Sequence, residues 1–266
     1  MGNYQRIHNN QYSYIKEGQG DVLLFIHGFC GSADYWNYLI PYLKDDYTVI
    51  CMDLRGHGDS GLEAGSFEIE DLARDLYSFL SAEGLDDIYL FGHSLGGYVA
   101  LAFAELFPAK LQGFSLIHST AFPDSEEAKE ARMDNIALVE ERGVEALVNK
   151  LIPNLFAKET LAAEKEKVNE MKEIGYGTSL DGVNGALRAM AGRPDRNRVL
   201  RDTPKPVLLV AGDRDRLISQ EKVFSAQGSH ITTRILQKAG HMGMVEYPKE
   251  LSRIIKEWVR LSQMKK

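Results

Sequence analysis

The chain has 266 residues, 44% of them apolar and 26% charged, a globular balance that argues against wholesale disorder. Its 31 basic and 38 acidic residues leave a net charge of −7, which offers neither a nucleic-acid footprint nor a polybasic membrane patch. The two cysteines, Cys30 and Cys51, lie outside any CxxC spacing and cannot build a disulfide framework, so a reducing compartment is the simpler expectation.

The first 18 residues are polar and lack the apolar core of a secretory signal. The chain opens Met1-Gly2, but Arg6 stands where a myristoylation pattern wants Ser or Thr. Apolar runs such as Val22–Ile26 are far too short to span a bilayer. A cytoplasmic protein with no membrane and no nucleic-acid partner is expected; composition leaves monomer or dimer open.

Residues 22–27 and 47–53 read as buried strands, and 69–83 as a helix with Ile69, Leu72, Leu76, Phe79 and Leu80 on one face. Residues 88–92 form the next strand, Leu95–Leu106 a helix stopped before Pro108, and 112–118 another strand. Short continuous apolar runs alternating with helical patterns predict βα units around a mostly parallel sheet. From about residue 124 to 193 the texture changes to Glu-, Ala- and Lys-rich helical periodicity. Pro153, Gly175-Tyr176-Gly177 and Arg193-Pro194 divide it into four expected helices. Strand character then returns at 206–212 and 232–236, followed by a closing helix at 247–261. The expected organisation is an α/β core of residues 1–122 and 195–266, interrupted by a helical lid of residues 123–194.

Gly92-His93-Ser94-Leu95-Gly96 places Gly-x-Ser-x-Gly between a predicted strand and a predicted helix, the context that turns this pattern into a nucleophile turn. Side chains at Gly92 or Gly96 would collide across such a turn. Ser94 would project above the sheet, with the Leu95 N–H at a helix start facing developing negative charge. A serine hydroxyl needs a base. His93 adjoins the serine, but neighbouring residues on the turn point different ways, so it is expected to support the turn; His241 lies in a loop between the last strand and the last helix. Both Asp213 and Asp215 follow the 206–212 strand and could orient such a base.

Residues 24–29 (LFIHGF), 53–60 (DLRGHGDS), the Ser94 turn, Gly212-Asp213-Arg214-Asp215 and Gly240-His241 resemble the α/β-hydrolase superfamily in order and spacing, over nearly the whole chain. The resemblance implies a doubly covered, mostly parallel sheet with an inserted helical lid, and a triad of Ser94, Asp215 and His241. It selects Asp215 through the family's Gly-x-x-Asp pattern counted from Gly212, with Asp124, after the 112–118 strand, as the alternative position that some members of the family use. It also implies an oxyanion hole from the N–H groups of Phe29 and Leu95. His27, Gly28, Trp36, His93 and Phe122 are the expected surroundings of the substrate.

Gly56-His57-Gly58-Asp59-Ser60-Gly61 satisfies G-x-G-x-x-G, but residues 62–67, with a further Gly65, intervene before the helix that would have to hold a pyrophosphate. No histidine pair has metal-ligand spacing, so neither cofactor nor metal is called for. Serine at the elbow departs from the aspartate of the family's dehalogenases and epoxide hydrolases. It suits acyl transfer on a small-molecule ester, and a carboxylesterase for short- to medium-chain esters is the leading expectation. The stretch HGFCGS with Trp36 also resembles the cyclohexadiene-carboxylate synthases of menaquinone biosynthesis, which hold substrate carboxylates on basic residues; Arg132, Arg142, Arg188 and Arg193 are available. A lactonase, perhydrolase or C–C hydrolase, or a ligand receptor retaining a slow triad, are further alternatives.

Overall fold

A computed structural model of the protein describes residues 4–9, 12–62 and 66–264. The N-terminal Met1-Gly2 and Gly65 of the 62–67 stretch lie outside the described residues. Two short strands, β1 (Arg6–Asn9) and β2 (Tyr12–Glu17), precede β3 (Val22–Ile26) and β4 (Thr48–Met52). Helix α1 (Ile69–Ala82) leads to β5 (Ile88–His93), α2 (Leu95–Leu106) and β6 (Leu111–Ile117). An insertion follows, made of α3 (Glu126–Arg142), α4 (Val144–Leu155), α5 (Lys158–Ala163), α6 (Lys165–Tyr176) and α7 (Leu180–Gly192). Then come α8 (Asn197–Asp202), β7 (Val207–Gly212), α9 (Gln220–Val223), β8 (Ile231–Leu236), α10 (Gly243–Glu246) and α11 (Pro248–Gln263).

The strands form one sheet in the order β1-β2-β4-β3-β5-β6-β7-β8. β1 and β2 pair antiparallel with each other and β2 antiparallel with β4; every other pair is parallel. Strands β5 and β7 are buried at every position, the signature of a parallel sheet covered on both faces. Helix α11 supplies part of that cover. Its Leu251, Ile254, Ile255, Trp258 and Val259 recur at helical spacing, and Trp258 meets Tyr89 and Phe91 edge-on at 5.6 and 5.7 Å. Helix α1 buries Leu72, Leu76 and Phe79, and Phe79 packs edge-on against Tyr14 of β2 at 4.9 Å.

The core strands and helices expected from the sequence are present, with ends moved by one or two residues. Two expectations need correction. Strands β1 and β2 lie in the stretch that reads as merely polar; β2 nonetheless buries Ser13, Tyr14 and Ile15 against its neighbours. The insertion holds five helices rather than four. Pro153 does not break the chain, because it falls in the last turn of α4, where only one backbone bond is forgone. The ends at Gly177 and Arg193 fall where expected, and the other breaks come at Gly143, whose φ is +79°, at Phe156-Ala157 and at Glu164. Helix α7 is seated on the core backbone to backbone. A Cβ on Gly182 would stand 2.2 Å from the Gly56 carbonyl oxygen, which also accepts from the N–H and hydroxyl of Ser179 at 3.1 and 3.2 Å. Among the described residues no helix is long and apolar enough to cross a membrane.

Strand order explains where chemistry can gather. β3 leads through β4 to one side and β5 lies on the other, so the loops leaving β3 and β5 part at a switch point, where α/β sheets open a crevice. Ile26 pairs with Gly92 in register, which brings the loops that start at His27 and His93 alongside each other.

Candidate active site

Ser94 sits between β5 and α2 with φ +50° and ψ −113°, a conformation that costs a non-glycine residue about 1–3 kcal/mol. The surroundings hold it there. Its N–H donates to the Ile117 carbonyl (3.0 Å), and its carbonyl accepts from the Gly97 N–H (2.9 Å) and the Ser119 hydroxyl (2.7 Å). Glycine is required at both flanks: a Cβ on Gly92 would stand 2.1 Å from the Gly96 carbonyl oxygen, and one on Gly96 2.3 Å from that of Ile26. With its backbone so fixed, the half-buried Ser94 faces a cavity of about 430 Å³ that His241, Phe29 and His93 also line.

His241 and Asp215 meet because β7 and β8 end side by side. The Asp213 N–H donates to Leu236 O (3.2 Å) and the Arg214 N–H to Ala239 O (2.9 Å), locking the two loops together. His241 Nδ1–H donates to Asp215 Oδ2 at 2.8 Å, which fixes the tautomer and leaves Nε2 bare to accept a proton. Asp215 Oδ1 accepts from the N–H groups of Leu217 (2.9 Å) and Ile218 (3.2 Å). Burial works to raise the Asp215 pKa, but His241 and His118 beside it prevail and hold the carboxyl well below the usual range. Asp213 lies elsewhere, 3.9 Å from Arg214. Asp124 is engaged by Arg132 and Arg193, so it is not the partner of the imidazole.

The N–H groups of Phe29 and Leu95 take no part in the backbone bonds of their turns. Leu95 N–H opens α2, at the positive end of that helix. Gly28 lets the β3 loop come close, since a Cβ there would lie 3.3 Å from Ser94 Cβ and 2.6 Å from His93 Nδ1.

The remaining expected neighbours of the substrate divide. Phe122 lines the cavity with Phe29 and His93. His93 also works within the scaffold, because its Nε2–H donates to the His241 carbonyl at 2.8 Å and the end of β5 thereby holds the His241 loop directly. Trp36 does not line the cavity; it is fully buried, its ring 4.9 Å from Phe25 and 6.4 Å from His93, because the 3₁₀ turn Ala33–Trp36 points it into the core. His27 and Gly28 are likewise outside the lining of the cavity. The His27 ring ties two loops, accepting from the Leu54 N–H at Nε2 (3.0 Å) and donating from Nδ1 to Gly28 O (2.7 Å). Burial pulls its pKa down to about 4, and that of neighbouring His57 to about 3.

The 53–60 stretch is an organiser, not a phosphate cradle. Asp53 accepts from the N–H groups of Ala33 (2.6 Å) and Asp59 (3.0 Å) and from Arg6, so its carboxylate occupies the space a Cβ on Gly58 would need. A larger hollow of about 730 Å³ between this loop and α7 contains none of Ser94, Asp215 or His241.

Two residues at the site escape a sequence reading. His118, at the end of β6, is fully buried with φ +48°, and its Nδ1 stands 3.6 Å from Asp215 Oδ2. The donor atoms of His118, Asp215 and His241 thus lie within 4.8 Å of one another. Asp215 Oδ2 and His241 Nδ1 are nonetheless hydrogen-bonded at 2.8 Å, closer than the about 3.3 Å between two ligands of a tetrahedral zinc. Glu246 of α10 accepts from the N–H groups of Gly240 (2.6 Å) and Ala157 (3.1 Å), joining the His241 loop to the start of α5; burial pushes its pKa up to about 6. A glutamate inside an apolar Met-Val-Glu-Tyr run is the only local signal of it.

The model of the alpha/beta hydrolase fold matches residues 21–248. A thermophilic esterase from Thermogutta terrifontis, solved with malate bound, is 30% identical with a TM-score of 0.91, over 97% of this chain and 99% of that one. A putative 2-succinyl-6-hydroxy-2,4-cyclohexadiene-1-carboxylate synthase from Bacillus subtilis is 27% identical over 94% of each chain. The dihydrolipoyllysine-residue acetyltransferase component of the acetoin cleaving system from Cupriavidus necator is 27% identical over 92% of this chain, which spans only 65% of that protein's length. Family match, strand order and the tight Ser94 turn agree: the chain belongs to the alpha/beta hydrolase fold family.

Proposed function

We propose that the protein is a serine carboxylesterase that cleaves short- to medium-chain carboxylic esters through an acyl-enzyme on Ser94. The observation that carries this reading is the meeting of Ser94 and His241 at one cavity, with Asp215 hydrogen-bonded behind the imidazole. His241 Nε2 takes the Ser94 proton as Oγ bonds to the ester carbonyl carbon. Asp215 stabilises the imidazolium that forms. The N–H groups of Phe29 and Leu95 receive the negative charge on the carbonyl oxygen, an effect for which losing one donor costs about 10²–10³ in turnover. The tetrahedral species collapses, the alcohol leaves with the proton from His241, and water repeats the cycle to free the acid. The helices α3 to α7 act as the lid, since Leu151, Leu155 and Met190 of the insertion roof the cavity.

The test is turnover of p-nitrophenyl acetate and butyrate, with Ser94→Ala as control and a fluorophosphonate label mapped by mass spectrometry. Ester turnover lost in the variant, with the label on Ser94, supports the reading. Label elsewhere overturns the site. Label on Ser94 without any ester turnover overturns the esterase and favours an elimination of the synthase kind.

A further inference from the structure

The active-site cavity has a charge that hydrolysis of a neutral ester does not need. Among the described residues, Arg132, Arg193 and Lys222 line it, against a single carboxylate, Asp124. Asp124 and Arg193 are almost sealed from solvent, with side chains 6% and 5% exposed. Asp124 is fully engaged: Arg132 Nε and Nη2 both donate to it, and Arg193 Nη1 stands 2.6 Å from Oδ1. Arg193 is then braced further. Its Nε and Nη1 donate to the carbonyls of Phe122 (3.2 Å) and Met190 (2.7 Å), and its guanidinium lies 3.9 Å from the centre of the Tyr98 ring. One carboxylate neutralises one of two arginines, and the second positive charge stays in the cavity wall.

The spare donors are defined. Among the described residues, Arg132 Nη1 and Arg193 Nη2 donate to no protein acceptor, nor does Lys222 Nζ. A guanidinium fixed in orientation by its other nitrogens is a preorganised receptor for a carboxylate, because little rotamer freedom is lost on binding. The position suits one end of a small substrate. Tyr98, beneath Arg193, follows Ser94 by four residues on α2, on the order of 6 Å of helix rise, about the span of a short carbon chain.

We propose that the ester this cavity is built for carries a free carboxylate on its acyl part, as in the half-ester of a short dicarboxylic acid, seated on Arg132, Arg193 and Lys222. This rests on the ester-hydrolase reading and narrows it. Ser94 Oγ forms its bond to the ester carbonyl carbon, the alcohol departs with a proton from His241, and water then releases the free dicarboxylate. The distal carboxylate takes no part in bond making; it holds the scissile carbonyl against the oxyanion donors.

The experiment compares monoethyl glutarate with diethyl glutarate, followed by pH-stat; alkyl esters avoid the self-cleavage of activated half-esters. The expected result is a kcat/KM for the half-ester about tenfold or more above that for the diester, the worth of one charge-assisted hydrogen bond. Arg132→Met should lower that ratio about fivefold, and the surface change Lys222→Met, which does not touch Asp124, should lower it about twofold. Diester hydrolysis with no preference for the half-ester overturns the proposal and leaves the esterase standing. If neither ester is cleaved, calorimetric titration of Ser94→Ala with glutarate decides. Binding that Arg132→Met weakens upholds the carboxylate seat while the esterase falls; absence of binding overturns it.

Discussion

Glu246 offers a test of how the base loop is held, because one carboxylate joins it to the insertion. Its oxygens accept from the Gly240 and Ala157 N–H groups, and burial raises its pKa from 4.5 to about 6. Keeping such a group ionised at neutral pH costs the folded state about 2 kcal/mol. The sign follows from proton counts: between pH 4.5 and 6 the folded chain retains a proton that the unfolded chain has lost, so stability falls as pH rises through that window and stays lowered above it. Glu246→Gln keeps a carbonyl oxygen for both donors and removes the charge, at the cost of a buried amide without a partner. Stability at pH 7 should move by no more than about 1 kcal/mol, while this part of the pH dependence vanishes. Glu246→Ala leaves two buried N–H groups stranded and should cost about 2–4 kcal/mol, with kcat falling as the loop bearing His241 loosens. Urea unfolding across this pH range, read as the difference between wild type and each variant, isolates the contribution from the buried histidines. A Gln variant that keeps the wild-type slope, or an Ala variant as stable as the Gln one, would refute the account.

Asp215→Asn leaves the geometry but removes the anion that fixes the His241 tautomer; kcat should drop about 10³–10⁴-fold, measured on any accepted ester. Gly28→Ala drives a Cβ to within 2.6 Å of His93 Nδ1 and 3.3 Å of Ser94 Cβ. Fluorophosphonate labelling of Ser94 should slow at least about tenfold even if a folded protein is recovered, since a 1 Å misplacement near the reacting atoms is costly. Acid should unfold the protein through its neutral buried histidines. The folded pKa of His27 is lowered to about 4, so stability is lost as pH falls from about 6.5 toward 4, by about 3 kcal/mol from this ring alone. A flat unfolding midpoint over that interval in wild type, once the opposite contribution of Glu246 is subtracted with Glu246→Gln, counts against it.

What the sequence makes legible is what local chemistry dictates. Apolar runs such as Val22–Ile26 and Val207–Gly212 can only be buried strands, and Gly92 and Gly96 around Ser94 announce a turn too tight for side chains. Asp215 and His241 can be selected only through a resemblance, since nothing within the 206–241 stretch says that β7 and β8 end side by side. The antiparallel pair β1 and β2 is opaque because its burial comes from neighbours, not from its own alternation. Trp36 misleads for a similar reason: an aromatic eight residues after Gly28 can face inward or outward, and the turn at Ser32 decides. His118 and Glu246 are invisible locally, because Asp215 lies about 100 residues from His118, and Ala157, the partner that ties Glu246 to the insertion, lies about 90 residues from it.

The junction of Gly56 with Gly182 sets a rule for how this molecule can vary. Two peptide backbones in van der Waals contact leave no room for even a methyl group, so α7 is riveted where it crosses the core. Breathing of the entrance, and any drift toward larger or smaller substrates across generations, must then fall to α3 and the second half of α4, whose Leu151 and Leu155 line the cavity. Randomising the rim residues there, and sparing the rivet, is the economical library for changing what enters.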